Sequence, residues 1–188
     1  MVRHGETNWN RENRFQGHAD TPLNEAGRAQ ARALTQDLEP GSIDAIYSSP
    51  LIRAHETALI LAERLGVAVE QTRALMEVDV GSWSGLTRTE AEARFPHGYR
   101  RWLEYGHGWD DGESYETLGE RVITGLLGIA EAHPHATVLA VTHGGPIRSA
   151  LAAANRVSFD DARRSIRVVG NCAVVRLTVR NAELERVD

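Results

Sequence analysis

The apolar residues of this chain follow two different spacings, which alternate along its length. Short, nearly continuous apolar runs are typical of strands buried on both faces of a parallel sheet. Between them, apolar or small residues recur every three or four positions, as on one face of a helix. The pattern predicts strands over about 1–2, 43–47, 67–69, 137–142, 164–168 and 172–179, and helices over about 24–38, 50–65, 114–132 and 146–154. We therefore expect a three-layer α/β/α sandwich with a mostly parallel central sheet, whose last strands need not be parallel.

Several of the predicted helices have residues at their ends that commonly begin or end a helix. Asn24 and Ser114 precede helical patterns and are suited to cap them, while Gly66 follows the end of one. Residues 8–22 are polar and rich in asparagine, so they predict a loop. The chain shows no internal repeat, low-complexity tract or linker, and we expect a single domain over 1–188.

One segment departs from the alternation of strands and helices. Residues 75–112 are irregular apart from a helical piece at about 89–95, and they contain more than half of the aromatic side chains. Two interpretations are equally compatible with this composition. The segment at about 78–112 is a lid or pocket wall, or it is a small satellite core beneath a long loop. Its aromatic residues are Trp83, Phe95, Tyr99, Trp102, Tyr105 and Trp109.

Cationic and nucleophilic residues follow three of the predicted strands. Arg3 and His4 follow the first, Arg53 lies just beyond the second, and His143 with Gly144 follows the strand at 137–142. Ligands of such sheets bind beyond the carboxyl ends of the strands. An imidazole can attack phosphorus, guanidinium groups suit phosphate oxygens, and a helix N-terminus at Gly144 favours an anion. The pattern predicts a compact cationic pocket for phosphate chemistry.

These residues resemble the hallmarks of the histidine phosphatase superfamily, which has the phosphoglycerate mutase-like fold. The Arg-His-Gly motif stands at residues 3–5, and the Ser-x-x-x-Arg-Ala-x-x-Thr element stands at 49–57. The late histidine after an apolar strand is His143, and the segment at 77–87 resembles the one that the family's acid–base carboxylate opens. The resemblance extends over nearly the full length. It implies a phosphomonoesterase that acts on a small phosphorylated metabolite, such as a phosphosugar or phosphoglycerate derivative, through a phosphohistidine.

The resemblance also implies a role for each residue. His4 is the expected nucleophile, and its second ring nitrogen is expected to donate to a backbone carbonyl. Glu77 is the expected general acid and base, with Asp79 as a rival that is better explained as a loop cap. The groups expected to hold the phosphoryl oxygens or the substrate are Arg3, Arg53, His143, Asn10, Gln16, Gly17 and Gly144.

Two other functions stay open at this point. A cofactor-dependent phosphoglycerate mutase would share the site, but the family's mutases tend to be longer and usually carry a Glu-Arg-x-Tyr-Gly type segment where this chain has 77–81. A non-catalytic module that binds phosphorylated ligands predicts loss of His4 or Glu77, and both are present. Cys172 followed by Arg176 lacks the spacing of a cysteine phosphatase loop.

The composition and charge of the chain predict where the protein is located and which partners and cofactors it lacks. A formal net charge of -5 argues against general nucleic-acid binding. The single cysteine, the absence of a long apolar run and a charged N-terminal segment predict a cytoplasmic protein that is not inserted in a membrane. The remaining histidines show no metal-ligand spacing, so no metal or organic cofactor is expected. The oligomeric state is open, a homodimer included.

Overall fold

The computed structural model describes residues 1–167 and 169–187. Its centre is a four-stranded sheet in the order β1-β4-β2-β3, and every pairing is parallel. Ile46 lies opposite Leu139 on one side and Val69 on the other, which fixes the register of the middle strands. The strands are β1 (Val2–Arg3), β2 (Ala45–Ser48), β3 (Val69–Gln71) and β4 (Val138–Thr142).

Helices cover both faces of this sheet, as the sequence predicted. One face packs against α2 (Glu25–Leu34) and α3 (Ile52–Leu65), with Leu139 and Val141 of β4 among the buried contacts. The other face packs against α6 (Tyr115–Ala132) and α7 (Gly144–Ala154), where Ala140 lies. Alternate residues of β4 therefore serve opposite layers. The predicted three-layer architecture with a mostly parallel sheet is confirmed.

The predicted helix boundaries are accurate where a cap is present. The Ser114 and Asn24 side chains accept hydrogen bonds from Thr117 and Gly27 backbone amides, so each caps its helix. Gly66 ends α3 in the left-handed region with φ +69°, a conformation that favours glycine. Within the described part of the chain, no helix has the length and apolar character to cross a membrane.

Several predicted elements differ in the structure. The loop at 8–22 contains a short helix, α1 (Asn8–Arg11), and the single helical piece near 89–95 is two helices, α4 (Arg88–Arg94) and α5 (Pro96–Tyr105). The strand predicted over 164–168 is wrong for its first residues, because they end helix α8 (Phe159–Ser165), while residue 168 lies outside the described residues.

The strand predicted over 172–179 forms only over its last residues, and before them Val174 makes a single antiparallel bridge to Val2. Residues 172–175 run antiparallel beside β1, where Val2 pairs with Val174 and the Val175 amide donates to the carbonyl of Met1 at 2.8 Å. The chain then enters a separate antiparallel hairpin of β5 (Leu177–Arg180) and β6 (Glu183–Arg186). The short β1 is thus supported on both sides, by β4 and by this C-terminal segment.

Two tryptophans of the aromatic segment are packed inside the protein, whereas Tyr105 is exposed. Trp83 and Trp109 are each 1% exposed and belong to the core cluster that faces α6. Trp83 lies at the centre, in contact with a ring of aromatic side chains: Phe15, Phe95, Tyr99, Trp102 and Trp109. These rings therefore extend the core that faces α6, and Trp109 also contributes to the wall of the cavity described next.

Candidate active site

The carboxyl ends of β1, β2 and β4 open into one cavity of about 230 Å³. His143 is fully buried, and its ring centroid lies 5.1 Å from that of His4. Eight of the nine predicted site residues line the cavity: Arg3, His4, Asn10, Gln16, Gly17, Arg53, Glu77 and Gly144. The structure thus brings together residues that lie far apart in the sequence.

The ring of His4 is fixed by a single hydrogen bond. Its Nδ1 lies 2.6 Å from the carbonyl oxygen of Gly5. Because a carbonyl only accepts, Nδ1 carries the proton and Nε2 keeps its lone pair. Burial, reinforced by the positive charges of Arg53 and Arg3, holds the pKa of His4 well below its usual value. The imidazole is therefore neutral at physiological pH, with Nε2 as a potential nucleophile.

The ring of His143 is positioned by a hydrogen bond to Ser49, the residue that follows β2. Its Nε2 lies 2.8 Å from the hydroxyl of Ser49, and its Nδ1 is buried with no hydrogen-bond partner in the described residues. Burial, with Arg53 and His4 as further causes, holds the pKa of His143 well below its usual value. When the Ser49 hydroxyl donates to Nε2, Nδ1 carries the proton of the neutral ring and can donate to a ligand oxygen.

The guanidinium groups of the two predicted arginines donate to backbone carbonyls, and one nitrogen of each has no partner in the described residues. Arg53 is 1% exposed and donates from its terminal nitrogens to the carbonyls of Gly17 and Ala19, both at 2.8 Å. Arg3 donates to the carbonyl of Val169 at 2.7 Å. The Nε atoms of both arginines are buried without a partner in the described part of the chain. Burial lowers the pKa of Arg53 to about 10, so it remains charged at neutral pH.

Glu77 occupies the N-terminus of α7. The Gly145 amide donates to its two carboxylate oxygens at 3.1 and 3.3 Å, and the Val78 amide donates at 3.0 Å. A Cβ at position 145 would lie 2.2 Å from Glu77 Oε1, so a larger residue there would displace the carboxylate from this position. The sequence predicted that this helix end favours an anion. In the structure the anion that the Gly145 amide binds is Glu77 itself.

Asp79 has a different environment from Glu77. Its Oδ1 accepts from the Gly81 amide at 2.9 Å, and its Oδ2 lies 3.8 Å from Nδ1 of His18. It is not among the residues that line the cavity. This geometry is that of the loop cap that the sequence favoured for Asp79.

The loop after β1 is organised by Thr7, which sequence reasoning missed. Its buried hydroxyl lies 3.2 Å from Oδ1 of Asn10 and 3.1 Å from Oε1 of Gln16. With their oxygens engaged, both amides keep an NH₂ group for a ligand. Thr7 caps α1 in a reciprocal capping box with Asn10, which is the sequence signal that could have identified it.

Gly17 contributes through its backbone. It adopts φ +51°, and a Cβ there would lie 2.6 Å from the Val80 side chain, so glycine is required. Its carbonyl accepts from Arg53. Gly17 therefore fixes the loop and the arginine together.

Trp109 lines the cavity and belongs to the segment that the sequence offered as a pocket wall. Further side chains line the cavity that the sequence did not indicate, among them Arg14, Tyr115 and Arg148. Arg148 lies four residues after Gly144 on α7, which places both on one helical face. That spacing is the signal that could have identified it. No group of three or more histidine, cysteine or acidic side chains suited to a metal ion occurs in the described ranges. Cys172 is partly buried, and burial raises the pKa of its thiol to about 11.

Comparison with known proteins places this geometry in context. The family model described as the histidine phosphatase superfamily (branch 1) matches residues 1–187. The chain is 38% identical over 151 residues to phosphoserine phosphatase 1 of Hydrogenobacter thermophilus, covering 79% of this chain and 72% of that protein. It is 36% identical over 164 residues to glucosyl-3-phosphoglycerate phosphatase of Mycobacterium tuberculosis, covering 82% and 73%. The solved structure of Bacillus stearothermophilus YhfR matches with a TM-score of 0.91 at 32% identity, over 98% of this chain and 92% of that one.

Proposed function

This chain belongs to the histidine phosphatase superfamily, branch 1, and we propose that it hydrolyses small phosphorylated metabolites through a covalent phosphohistidine on His4. The similarity to phosphoserine and glucosyl-3-phosphoglycerate phosphatases supports a phosphomonoesterase. The observation that carries the assignment is the His4 ring: Nδ1 is committed to the Gly5 carbonyl, and neutral Nε2 keeps its lone pair.

The first step of the proposed reaction is attack of His4 Nε2 on phosphorus. The bond from phosphorus to the ester oxygen breaks as the bond from nitrogen to phosphorus forms. Arg3, Arg53 and the unpartnered Nδ1 of His143 bind the phosphoryl oxygens, on which negative charge shifts during transfer. The Asn10 amide adds a neutral donor from the loop after β1.

Glu77 supplies and recovers the proton. It protonates the leaving oxygen, then removes a proton from the water that attacks the phosphohistidine. The second step releases inorganic phosphate and restores the free imidazole of His4. Gln16, Gly17 and Gly144 border the same cavity, where we propose that they contact the substrate.

The test of this proposal is to trap the intermediate. Phosphohistidine is acid-labile, so the reaction is quenched rapidly at alkaline pH with a phosphorus-labelled substrate, and the label on protein is counted. We expect about one phosphoryl group per active chain in the early phase and none in His4→Ala, because a methyl group cannot attack phosphorus.

The matched control is His97→Ala, which removes an exposed histidine on α5. It should give the same phosphoenzyme yield as the original protein. A normal yield in His4→Ala would assign the nucleophile to another residue.

A further inference from the structure

Arg148 lies in the cavity wall but has no part in the chemistry described above. It is partly buried on α7, one helical turn after Gly144, which is roughly 6 Å along the helix axis. Side chains on a helix lean towards its N-terminus, so the guanidinium is directed towards the end of α7 that meets Glu77. Arg148 therefore lines the same cavity as His4 and Arg3, which would hold the phosphoryl group of a ligand.

No protein group in the described residues forms a direct ion pair with Arg148, and the Glu77 carboxylate acts on its charge only through space. The guanidinium of Arg14, another residue of the cavity, pairs with Glu12 and Glu90 at 2.6 and 3.0 Å. Arg148 makes no ion pair or hydrogen bond within residues 1–167 and 169–187. Burial lowers the pKa of Arg148 more than Glu77 raises it, so the loss of hydration outweighs the attraction of the carboxylate. Such a group is satisfied when an anion occupies the cavity.

Neighbouring aromatic rings hold Arg148 and supply a second donor. Its guanidinium carbon lies 6.0 Å from the ring centroid of Phe159, and that ring stacks on Tyr115 at 4.1 Å. Tyr115 also lines the cavity. Burial raises the pKa of Tyr115, so its hydroxyl keeps its proton at physiological pH and can donate to an acceptor.

The charges of the cavity indicate what this anion is. When Glu77 carries the proton that it donates, Arg3, Arg53 and Arg148 remain as positive charges against neutral histidines. A phosphomonoester dianion balances two of the three. One positive charge is left for a second, singly charged group of the same substrate.

We propose that Arg148, with the hydroxyl of Tyr115, binds a carboxylate of the substrate, so that the preferred substrate is a small phosphorylated carboxylic acid. The proposal rests on the phosphomonoesterase function above and names its substrate class. A carboxylate fits both donors, because it accepts the planar fork of an arginine and a further O–H bond.

The catalytic test compares two esters that differ in one group. 3-Phosphoglycerate carries a carboxylate where glycerol 3-phosphate carries a hydroxymethyl group. We expect the original protein to prefer 3-phosphoglycerate in kcat/KM by at least about tenfold, and Arg148→Gln to reduce that preference to less than about threefold. Arg148→Lys, which keeps the charge without the fork, should give an intermediate preference. Tyr115→Phe removes only the hydroxyl and should reduce the preference by a smaller factor.

A binding measurement separates this proposal from the proposed reaction. Calorimetric titration of both esters into His4→Ala needs no turnover, and adding Arg148→Gln should weaken 3-phosphoglycerate binding about tenfold more than glycerol 3-phosphate binding. Arg156→Gln is the matched control, since it removes an exposed arginine just beyond the end of α7. An unchanged preference in both the Gln and Lys variants, or equal binding of the two esters, would overturn the carboxylate site. If no phosphoenzyme forms on His4 but the binding preference for 3-phosphoglycerate is found, the proposed reaction is wrong and the carboxylate site still stands.

Discussion

The carboxylate of Glu77 lies near positive charge on two sides. One side is the N-terminus of α7, through the Gly145 amide. The other is the set of cavity arginines, since Arg3 and Arg53 both interact with its charge. A carboxylate held this firmly is suited to deliver a proton to one defined point.

The first prediction is that Glu77→Gln slows hydrolysis according to the leaving group. An alkyl phosphate needs protonation of its leaving oxygen, and we expect kcat to fall by about 10²- to 10⁴-fold. An activated aryl phosphate leaves as a stable anion, so its loss should be at least about tenfold smaller. The measurement is kcat for both substrates in both proteins. Asp79→Asn is the control and should not change the ratio of the two rates, whereas equal losses in Glu77→Gln would contradict the assignment.

Residues of the site differ in how far the sequence reveals them. His4, Arg53 and His143 follow strand ends, and parallel strands bring such ends to one edge, so their proximity was predictable. Arg148 and Tyr115 reach the cavity only because α6 and α7 cover the same face of the sheet, which helical spacing alone does not show. The burial that dominates the pKa of His4 was likewise invisible, since the sequence suggested only the neighbouring cations.

Helix α6 fixes the segment that carries Glu77. Arg121 donates to the carbonyls of Arg73, Ala74 and Met76 at 3.0 to 3.1 Å. The same guanidinium makes two hydrogen bonds to the Glu113 carboxylate, at 2.9 and 2.7 Å. One side chain thus ties the turn before Glu77 to the middle of a long helix.

The second prediction is that Arg121→Met destabilises the protein and makes the position of Glu77, the proposed general acid, less well defined. Several carbonyls and the Glu113 carboxylate lose their donor, so the free energy of unfolding should fall by about 2 kcal/mol. In urea unfolding, the control Arg156→Met removes an exposed ion pair with Glu183 and should change that free energy by less than about 0.5 kcal/mol. We also expect kcat of Arg121→Met to fall more for an alkyl than for an aryl phosphate. A loss of stability with equal effects on both substrates would limit Arg121 to folding.

For the helices and strands, capping residues and charges indicate the type of element more reliably than short apolar runs do. Helix α8 has Ser158 as its cap, acidic residues in its first turn and Arg163 and Arg164 in its last, which together complement the helix dipole. Its short length hides the helical period, so the sequence predicts a strand over 164–168 where α8 in fact ends. Helix α5 was hidden by Gly98, where a Cβ would lie 2.4 Å from the Gly108 carbonyl. That glycine reflects a tertiary contact, which no local pattern predicts.

For the whole molecule, two buried neutral histidines make stability depend on pH. The pKa values of His4 and His143 are both held well below their usual value of 6.5 in the folded protein. Below about pH 6.5 the unfolded chain binds protons at these positions and the folded protein does not, so stability falls as the pH falls.

The third prediction is the size of this effect. Between about pH 6.5 and 5 the free energy of unfolding should decrease with a slope that approaches about 1.4 kcal/mol per pH unit for each histidine. Urea unfolding at several pH values measures the slope. His4→Asn and His143→Asn should each remove about half of it, and His97→Asn, at an exposed position, is the control. A free energy independent of pH over this window would show that the histidines are not buried as neutral groups.

The final prediction concerns which molecule accepts the phosphoryl group. A mutase must protect its phosphohistidine from water while the intermediate reorients, which requires a closed, dry site. Here the cavity adjoins a second one of about 380 Å³, and the two share Arg3, Asn10, Arg14 and Phe15 as lining residues. Because the two cavities share these residues, we expect water to reach the phosphohistidine. Supplied with 3-phosphoglycerate and a catalytic amount of 2,3-bisphosphoglycerate, the enzyme should release inorganic phosphate and form little 2-phosphoglycerate. The two products are followed by a phosphate assay and by enolase-coupled absorbance. Rapid formation of 2-phosphoglycerate without net phosphate release would identify a mutase, because only a second hydroxyl could then be accepting the phosphoryl group.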